Sequence, residues 1–215
     1  MGIYKNEKNI IPFLNNFRQE IAPFIEDYEI IMVNDGSPDN SWKILSDEAK
    51  KDEHIKAIRL SRNYGAFEAV FTGFRYATGD CITVKGVDLQ EPPELTINMY
   101  SKWKNGEKVI LAVREKRNDS FLTNLTSNAY YWLVKKITHC NMPKGGFDTY
   151  LIDKSVKDIL LLMDERNSPL SLQLLWTGFD PKYEYYERLK REKGKSSWSV
   201  EKKIKFKELV KGEKL

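Results

Sequence analysis

Short apolar, β-branched runs alternate with helix-length segments through the first half of this chain, and that rhythm constrains its fold more than any other feature. Gly2-Ile3-Tyr4 reads as the end of a strand, so a few residues are expected to precede Met1. Asn6 can cap a helix that carries Ile10, Ile11, Leu14, Phe17 and Ile21 at helical spacing. Strands are expected over 28–33, 54–60, 81–84 and 109–113. Helices are expected through Trp42, Ile44 and Leu45, over 66–77, over 93–104 and over 121–137. Ser37 with Pro38 at the first helical position, and Gly79 just past a last turn, supply the punctuation for a helix start and a helix stop. Such βα alternation specifies an α/β domain with a mostly parallel sheet flanked by helices. Successive strand ends then fall on one edge, where open α/β sheets bind ligands.

The bulk numbers exclude several classes. With 215 residues, 41% of them hydrophobic, and no Pro/Gly/Ser-rich linker, one domain is expected. The aliphatic run Ile159-Leu160-Leu161-Leu162-Met163 is too short to span a bilayer, and no secretory signal is visible. Cys81 and Cys140 show neither metal nor redox spacing, which suits a reducing, cytoplasmic setting. The net charge of +4 is uneven: residues 182–215 hold 12 Lys/Arg against 6 Asp/Glu. A basic end of this kind is either a solvated face or a surface for phosphates or anionic lipid. No zinc, helix-turn-helix or RNA-binding signature accompanies it, so nucleic acid is not the expected partner. Gly194-Lys195-Ser196 echoes a phosphate loop, but Leu189 stands where the upstream glycine belongs. His54 and His139 are isolated and read as structural.

Three strand ends carry chemistry. Asp35, in Asn34-Asp35-Gly36-Ser37-Pro38-Asp39, is a carboxylate suited to base N–H groups or ribose hydroxyls, and Gly36 lets the chain turn beside a ligand. The same string is also ordinary turn vocabulary. Arg62, in Ser61-Arg62-Asn63-Tyr64-Gly65, suits a diphosphate or a site carboxylate. Asp88 and Gln90 follow the run Cys81-Ile82-Thr83-Val84 and precede the helix start Pro92-Pro93-Glu94. Oxygen donors in that place suit Mg²⁺ or Mn²⁺ held against a diphosphate.

In order, Tyr4-Lys5-Asn6-Glu7, Asn34-Asp35-Gly36-Ser37, Ser61-Arg62-Asn63-Tyr64-Gly65 and Asp88-Leu89-Gln90-Glu91-Pro92-Pro93-Glu94 resemble the motifs of family 2 glycosyltransferases with the GT-A fold. Trp176-Thr177-Gly178-Phe179 and residues 188–196 resemble later motifs of the branch that includes dolichyl-phosphate mannosyltransferases and undecaprenyl-phosphate sugar transferases. The resemblance implies a single Rossmann-like GT-A domain over 1–215. Its nucleotide-sugar half would be 1–115, its acceptor half 116–200 and its basic tail 201–215. It implies inverting transfer from a nucleotide sugar, a UDP-sugar first, to a polyprenyl phosphate. The alternatives are a glycan hydroxyl as acceptor, or a catalytically degenerate nucleotide-sugar-binding relative. Tyr4, Glu7, Asp35, Gly36, Ser37 and Arg62 would meet the nucleotide, and Asp88 and Gln90 a Mg²⁺ or Mn²⁺ ion. Arg117, Ser127, Arg188, Arg191 and Ser196 would meet donor or acceptor phosphate. Asp148 would be a general base where the acceptor is a hydroxyl. The tail would lie on the inner face of the cell membrane; whether the chain is a monomer or a homo-oligomer stays open. The chain departs from the family's pattern in three places. Gly86 stands where the family has a first Asp. Thr123-Asn124 stands where relatives carry a basic pair. Gly145-Gly146-Phe147-Asp148 replaces a Gly-Asp-Phe. Relatives of this branch often continue into transmembrane helices, and none lies within these residues.

Overall fold

The protein is described here by a computed structural model, covering residues 1–115, 143, 146–163, 165 and 168–189. The expected helix over 121–137 and the tail 201–215 lie outside the described residues. Strand β1 (Gly2–Ile3) leads into α1 (Glu7–Asn16), which runs on through a π turn (Phe17–Ile21) and a 3₁₀ turn (Ala22–Phe24). Then come β2 (Ile30–Asn34), α2 (Ser41–Ala49), β3 (Ile55–Arg59), α3 (Ala66–Tyr76), β4 (Cys81–Val84), α4 (Pro93–Lys104) and β5 (Val109–Arg114). The described residues end with β6 (Tyr150–Asp153), α5 (Lys154–Met163), α6 (Leu170–Trp176) and β7 (Lys182–Tyr186).

β1, β2 and β3 pair in parallel, in that order. The second sheet has the order β4-β6-β5-β7. In it β6 runs antiparallel to both β4 and β5, while β5 and β7 are parallel. Strand pairing is therefore mostly parallel, as the βα rhythm requires, with one reversed strand in the second sheet. That reversal matters for function. Val84 pairs with Tyr150, so the chain entering β6 lies beside the chain leaving β4.

Of the expected apolar stripe, Ile10, Leu14, Phe17 and Ile21 are buried, while Ile11 is exposed and Phe13 takes its place in the core. Ile10, Phe13 and Leu14 pack with Ile3, Met32 and Leu45 in the first core. A second core joins α3, α5 and α6 to β4, β5 and β6 through Phe74, Leu111, Ile152 and Leu160. Val87 is buried in the first core and Leu89 packs against it, so the loop after β4 is stitched to the first sheet by its apolar residues.

Two punctuation marks act otherwise than expected. α2 begins at Ser41, not at Pro38, and Ser37 does not cap it. The Asp39 carboxylate organises this turn instead, accepting from Ser37 Oγ at 2.6 Å, from the Ser41 N–H at 3.1 Å and from the Glu7 N–H at 3.2 Å. α3 ends with Ala77 in an extended conformation, and Gly79 is not its left-handed cap. The Glu29 carboxylate takes over there, accepting from the N–H groups of Thr78 at 2.7 Å and Gly79 at 3.0 Å. His54 is structural: it stacks on Tyr28 with ring centroids 4.6 Å apart. Among the described residues no helix is long and apolar enough to cross a membrane.

The end of β6 carries a polar clasp. Asp153 accepts from Trp103 Nε1 and Lys108 Nζ, both at 2.9 Å, and from Ser155 Oγ at 2.6 Å. Burial alone would raise its carboxyl, but these bonds outweigh burial and hold it well below the usual carboxylate range. Asp153→Asn is expected to cost about 1–3 kcal/mol at neutral pH. A carboxyl whose folded pKa is depressed stabilises above its unfolded value, so the gap between wild type and variant should narrow as pH falls below about 4. Urea melts at pH 7 and pH 3 check both parts.

Candidate functional site

The first three strand ends are tied together by main-chain and side-chain bonds. The Lys5 N–H donates to Ser37 Oγ at 2.8 Å and the Asn6 N–H to Ser41 Oγ at 3.3 Å. Glu7 Oε2 accepts from the Asn40 N–H at 3.1 Å. The loop after β1 and the loop after β2 are therefore bonded to each other. Asp35 is 3% exposed, and its two oxygens accept from the N–H groups of Tyr64 at 2.7 Å and Gly65 at 2.9 Å. It clamps the Ser61-Arg62-Asn63-Tyr64-Gly65 loop against β2, a task beyond the ligand contact its position suggests.

Gly36 sits at φ +59°, and a Cβ there would stand 2.4 Å from the carbonyl carbon of Arg62. The close approach this glycine permits is to the 62–63 backbone, not only to a ligand. The Arg62 guanidinium lies over the Tyr64 ring, 4.3 Å from its centroid.

The fourth strand end is the loop after β4. Leu89 has φ +53°, a conformation an L-residue adopts at a cost of about 1–2 kcal/mol. Lys5, beside Tyr4, has φ +55°. Both strained residues flank the same edge, where such strain concentrates in working sites. Asp88 and Gln90 reach one guanidinium: Arg188 donates to Gln90 Oε1 at 2.6 Å and stands 4.0 Å from Asp88 Oδ2. Gln90 is held further by the Leu189 segment. Its backbone carbonyl accepts from the Leu189 N–H at 2.9 Å, and its Nε2 donates to the Leu189 carbonyl at 3.2 Å.

Residues that sequence reasoning did not select complete this edge. Glu91 is buried, and its Oε1 accepts from Thr149 Oγ1 at 3.0 Å. Burial pushes its carboxyl up, with the Lys85 ammonium and Thr149 opposing. Lys85 donates to Thr96 Oγ1 at 3.1 Å, and burial lowers its own pKa. Arg114, at the end of β5, pairs with the exposed Asp148 and donates to Tyr186 Oη at 3.4 Å. The signal for Glu91 was present in the motif Gln90-Glu91-Pro92. Arg114 and Thr149 lie far apart in sequence, and only the reversed strand β6 brings them to the site.

Asp88 and Gln90, after β4, meet Arg188, after β7, while Asp35, after β2, meets the loop of Arg62, after β3; Asp148 precedes the antiparallel strand β6 and pairs with Arg114. Arg117, Ser127, Arg191 and Ser196 lie outside the described residues. Among the described residues no three His, Cys, Asp or Glu side chains gather as a ready metal site, so a divalent cation here would rest on fewer carboxylates and an amide. Asp88 and Gln90 supply oxygen, and a Cβ on the exposed Gly86 would stand 3.1 Å from Asp88 Oδ1 and 3.9 Å from Glu91 Oε1. The room left by the absent side chain is bordered by carboxylate oxygens, which suits a hard ion.

Residues 1–156 match the family described as "Glycosyl transferase family 2". A protein of Bacillus subtilis (strain 168) described as the uncharacterized glycosyltransferase YkcC is 34% identical over 205 residues, 95% of this chain and 64% of its own. The bactoprenol glucosyl transferase of Shigella phage SfV is 32% identical over 198 residues, 90% of this chain and 64% of its own. The chain therefore spans less than two thirds of the length of these relatives. Among solved structures, glucosyl-3-phosphoglycerate synthase from Mycobacterium tuberculosis, in complex with Mn²⁺, UDP-glucose and phosphoglyceric acid, superposes with a TM-score of 0.58 at 13% identity. That match covers 98% of this chain and 74% of the other.

Proposed function

This chain belongs to glycosyl transferase family 2 and has the GT-A fold, and from that premise we propose that it moves a sugar from a nucleoside diphosphate sugar to a polyprenyl-phosphate carrier. The observation that carries the reading is the meeting of Asp88, Gln90 and Arg188 at the loop after β4, whose Val87 is buried in the core of the first sheet. The name of the phage relative supports the acceptor class, and the bound UDP-glucose and Mn²⁺ of the solved neighbour support a UDP-sugar and a divalent ion.

In this reading Tyr4, Glu7, Asp35, Gly36, Ser37 and Arg62 frame the nucleotide. Asp88 and Gln90 hold Mg²⁺ or Mn²⁺ against the diphosphate. A bound divalent ion supplies charge neutralisation to the leaving group. Arg188 faces the same phosphates once its bond to Gln90 is exchanged, and adds fixed positive charge where negative charge develops. The acceptor phosphate oxygen attacks the anomeric carbon in line, the bond from that carbon to the β-phosphate oxygen breaks, and the nucleoside diphosphate leaves with inversion. The attacking oxygen is already anionic, so no strong base is needed. A sugar hydroxyl would need one, and Asp148, exposed beside Arg114, is the residue we propose for it.

Residues 1–115 form the nucleotide-sugar half and 116–200 the acceptor half. Arg117, Ser127, Arg191 and Ser196 meet the acceptor phosphate. The basic tail 201–215 meets the inner face of the membrane.

Gly86 favours one second reading, a nucleotide-sugar-binding relative without turnover. Thermal melts with UDP, GDP and their common sugars, with and without Mn²⁺, test donor and metal together. A ligand at 100 times its Kd adds roughly 2.7 kcal/mol of stability. A Mn²⁺-dependent shift with UDP-sugars is expected. Its absence with every nucleotide would overturn the donor site, and a shift without turnover would favour the second reading.

A further inference from the structure

We propose that Glu91 supplies the second carboxylate of the divalent-cation site, beside Asp88 and Gln90, in the room left by the glycine at position 86. The inference rests on the reading of Asp88 and Gln90 as the cation loop and names its third donor.

Three observations carry it. First, Asp88 Oδ1 and Glu91 Oε1 lie 3.1 and 3.9 Å from one point, the place a Cβ would take on residue 86. Two carboxylate oxygens then border one spot, with the Gln90 amide in the same loop, and such oxygen donors suit Mg²⁺ or Mn²⁺. Second, Glu91 is 8% exposed, and its Oε2 has no hydrogen-bond partner among the described residues. A buried carboxylate oxygen without a partner is destabilising, and each such atom calls for an explanation, of which an ion is one. The nearest candidate for compensation, the Lys85 ammonium, makes its hydrogen bond to Thr96. Third, Gly86 is exposed, so the spot opens to solvent and a cation can enter there.

The Glu91 carboxylate is also braced. Thr149 Oγ1 donates to its Oε1, and Thr149 is fixed in turn because its carbonyl accepts from the Ala112 N–H at 3.0 Å. A ligand held in this way by a neighbour just before β6 loses little freedom when an ion binds. Asp88 leans toward residue 86, where an added Cβ would stand 3.1 Å from its Oδ1, so a side chain there asks it to give by only a few tenths of an ångström.

The test is calorimetric titration of Mn²⁺ into the protein saturated with UDP, for wild type, Glu91→Gln, Asp88→Asn and the double variant Gly86→Asp/Glu91→Gln. Glutamine keeps the acceptor for Thr149, so the fold is expected to persist, which melting in EDTA checks. Glu91→Gln should weaken Mn²⁺ binding at least about tenfold, because affinity at such sites follows the count of charged ligands. The double variant should recover to within about threefold of wild type, since it returns a carboxylate to the same spot. Should Glu91→Gln fail to fold, Glu91→Asp, which draws the charge back by one methylene, must weaken Mn²⁺ by at least about threefold. Wild-type affinity in Glu91→Gln together with a loss in Asp88→Asn would overturn this inference and leave the cation loop standing. A wild-type protein that takes up no Mn²⁺ with UDP would overturn both.

Discussion

Asp88→Ala loses at least about a thousandfold in kcat/KM for sugar transfer, roughly 4 kcal/mol of transition-state stabilisation, while its fold survives. The size follows from the job proposed for the residue. A nucleoside diphosphate leaves only when the charge on its β-phosphate is neutralised, and Asp88 stands in the loop where its own Oδ1 and Glu91 Oε1 border the space beside Gly86. Removing it lets a cation bind loosely or off line, so the loss should fall on kcat as well as on KM. Stability should change little. The side chain is partly exposed, and its charged neighbour Arg188 is 4.0 Å away, a contact worth about 1 kcal/mol or less. Urea melts without nucleotide and initial rates over a Mn²⁺ series separate the two effects. Turnover at the wild-type level in Asp88→Ala would remove the metal assignment.

Gly36→Ala shows the opposite pattern, a loss of stability that removes function with it. The residue is at φ +59°, and the added carbon would meet the Arg62 carbonyl carbon at 2.4 Å and the Asn63 nitrogen at 2.6 Å. Backbone atoms cannot swing aside as the end of a flexible side chain can. The clash and the left-handed strain together should cost roughly 2–5 kcal/mol, about 10 °C in melting temperature for a chain of this size. The loop that gives way is the one Asp35 clamps, so nucleotide binding should weaken in the fraction that still folds. Melting curves with and without UDP check this. An unchanged melting temperature would mean that the 36–62 contact is looser than described.

Much of this was legible in sequence because local rules decided it. α4 spans Pro93–Lys104, as expected from the Pro-Pro-Glu start, since proline is tolerated at the first turn. β4 spans Cys81–Val84 as read from its apolar run. Asp35, Arg62 and Asp88 fall at the ends of β2, β3 and β4 because βα units set strand direction. The failures have physical causes. Ser37 looked like a cap, but Asp39, two residues on, bonds more of the same turn, and side-chain competition of this kind has no signature in spacing. Gly79 looked like a helix stop, but Glu29, fifty residues earlier, holds that corner. Glu91 stood inside the motif Asp88-Leu89-Gln90-Glu91-Pro92-Pro93-Glu94 without a role of its own. Its burial depends on Thr149, and that contact depends on β6 running antiparallel to β4, which nothing in either segment announces. The pairing of Arg114 with Asp148 is hidden for the same reason.

The central claim is the transfer itself, and the most direct measurement follows a labelled sugar. The protein is incubated with UDP-[¹⁴C]glucose, Mn²⁺ and undecaprenyl phosphate in detergent, and the label is counted in the organic phase before and after mild acid. The account predicts organic-phase label that needs both Mn²⁺ and the lipid phosphate, is released by acid, and vanishes with Asp88→Ala. Label that stays aqueous with every UDP- and GDP-sugar, from a sample whose melting temperature responds to nucleotide, would contradict it.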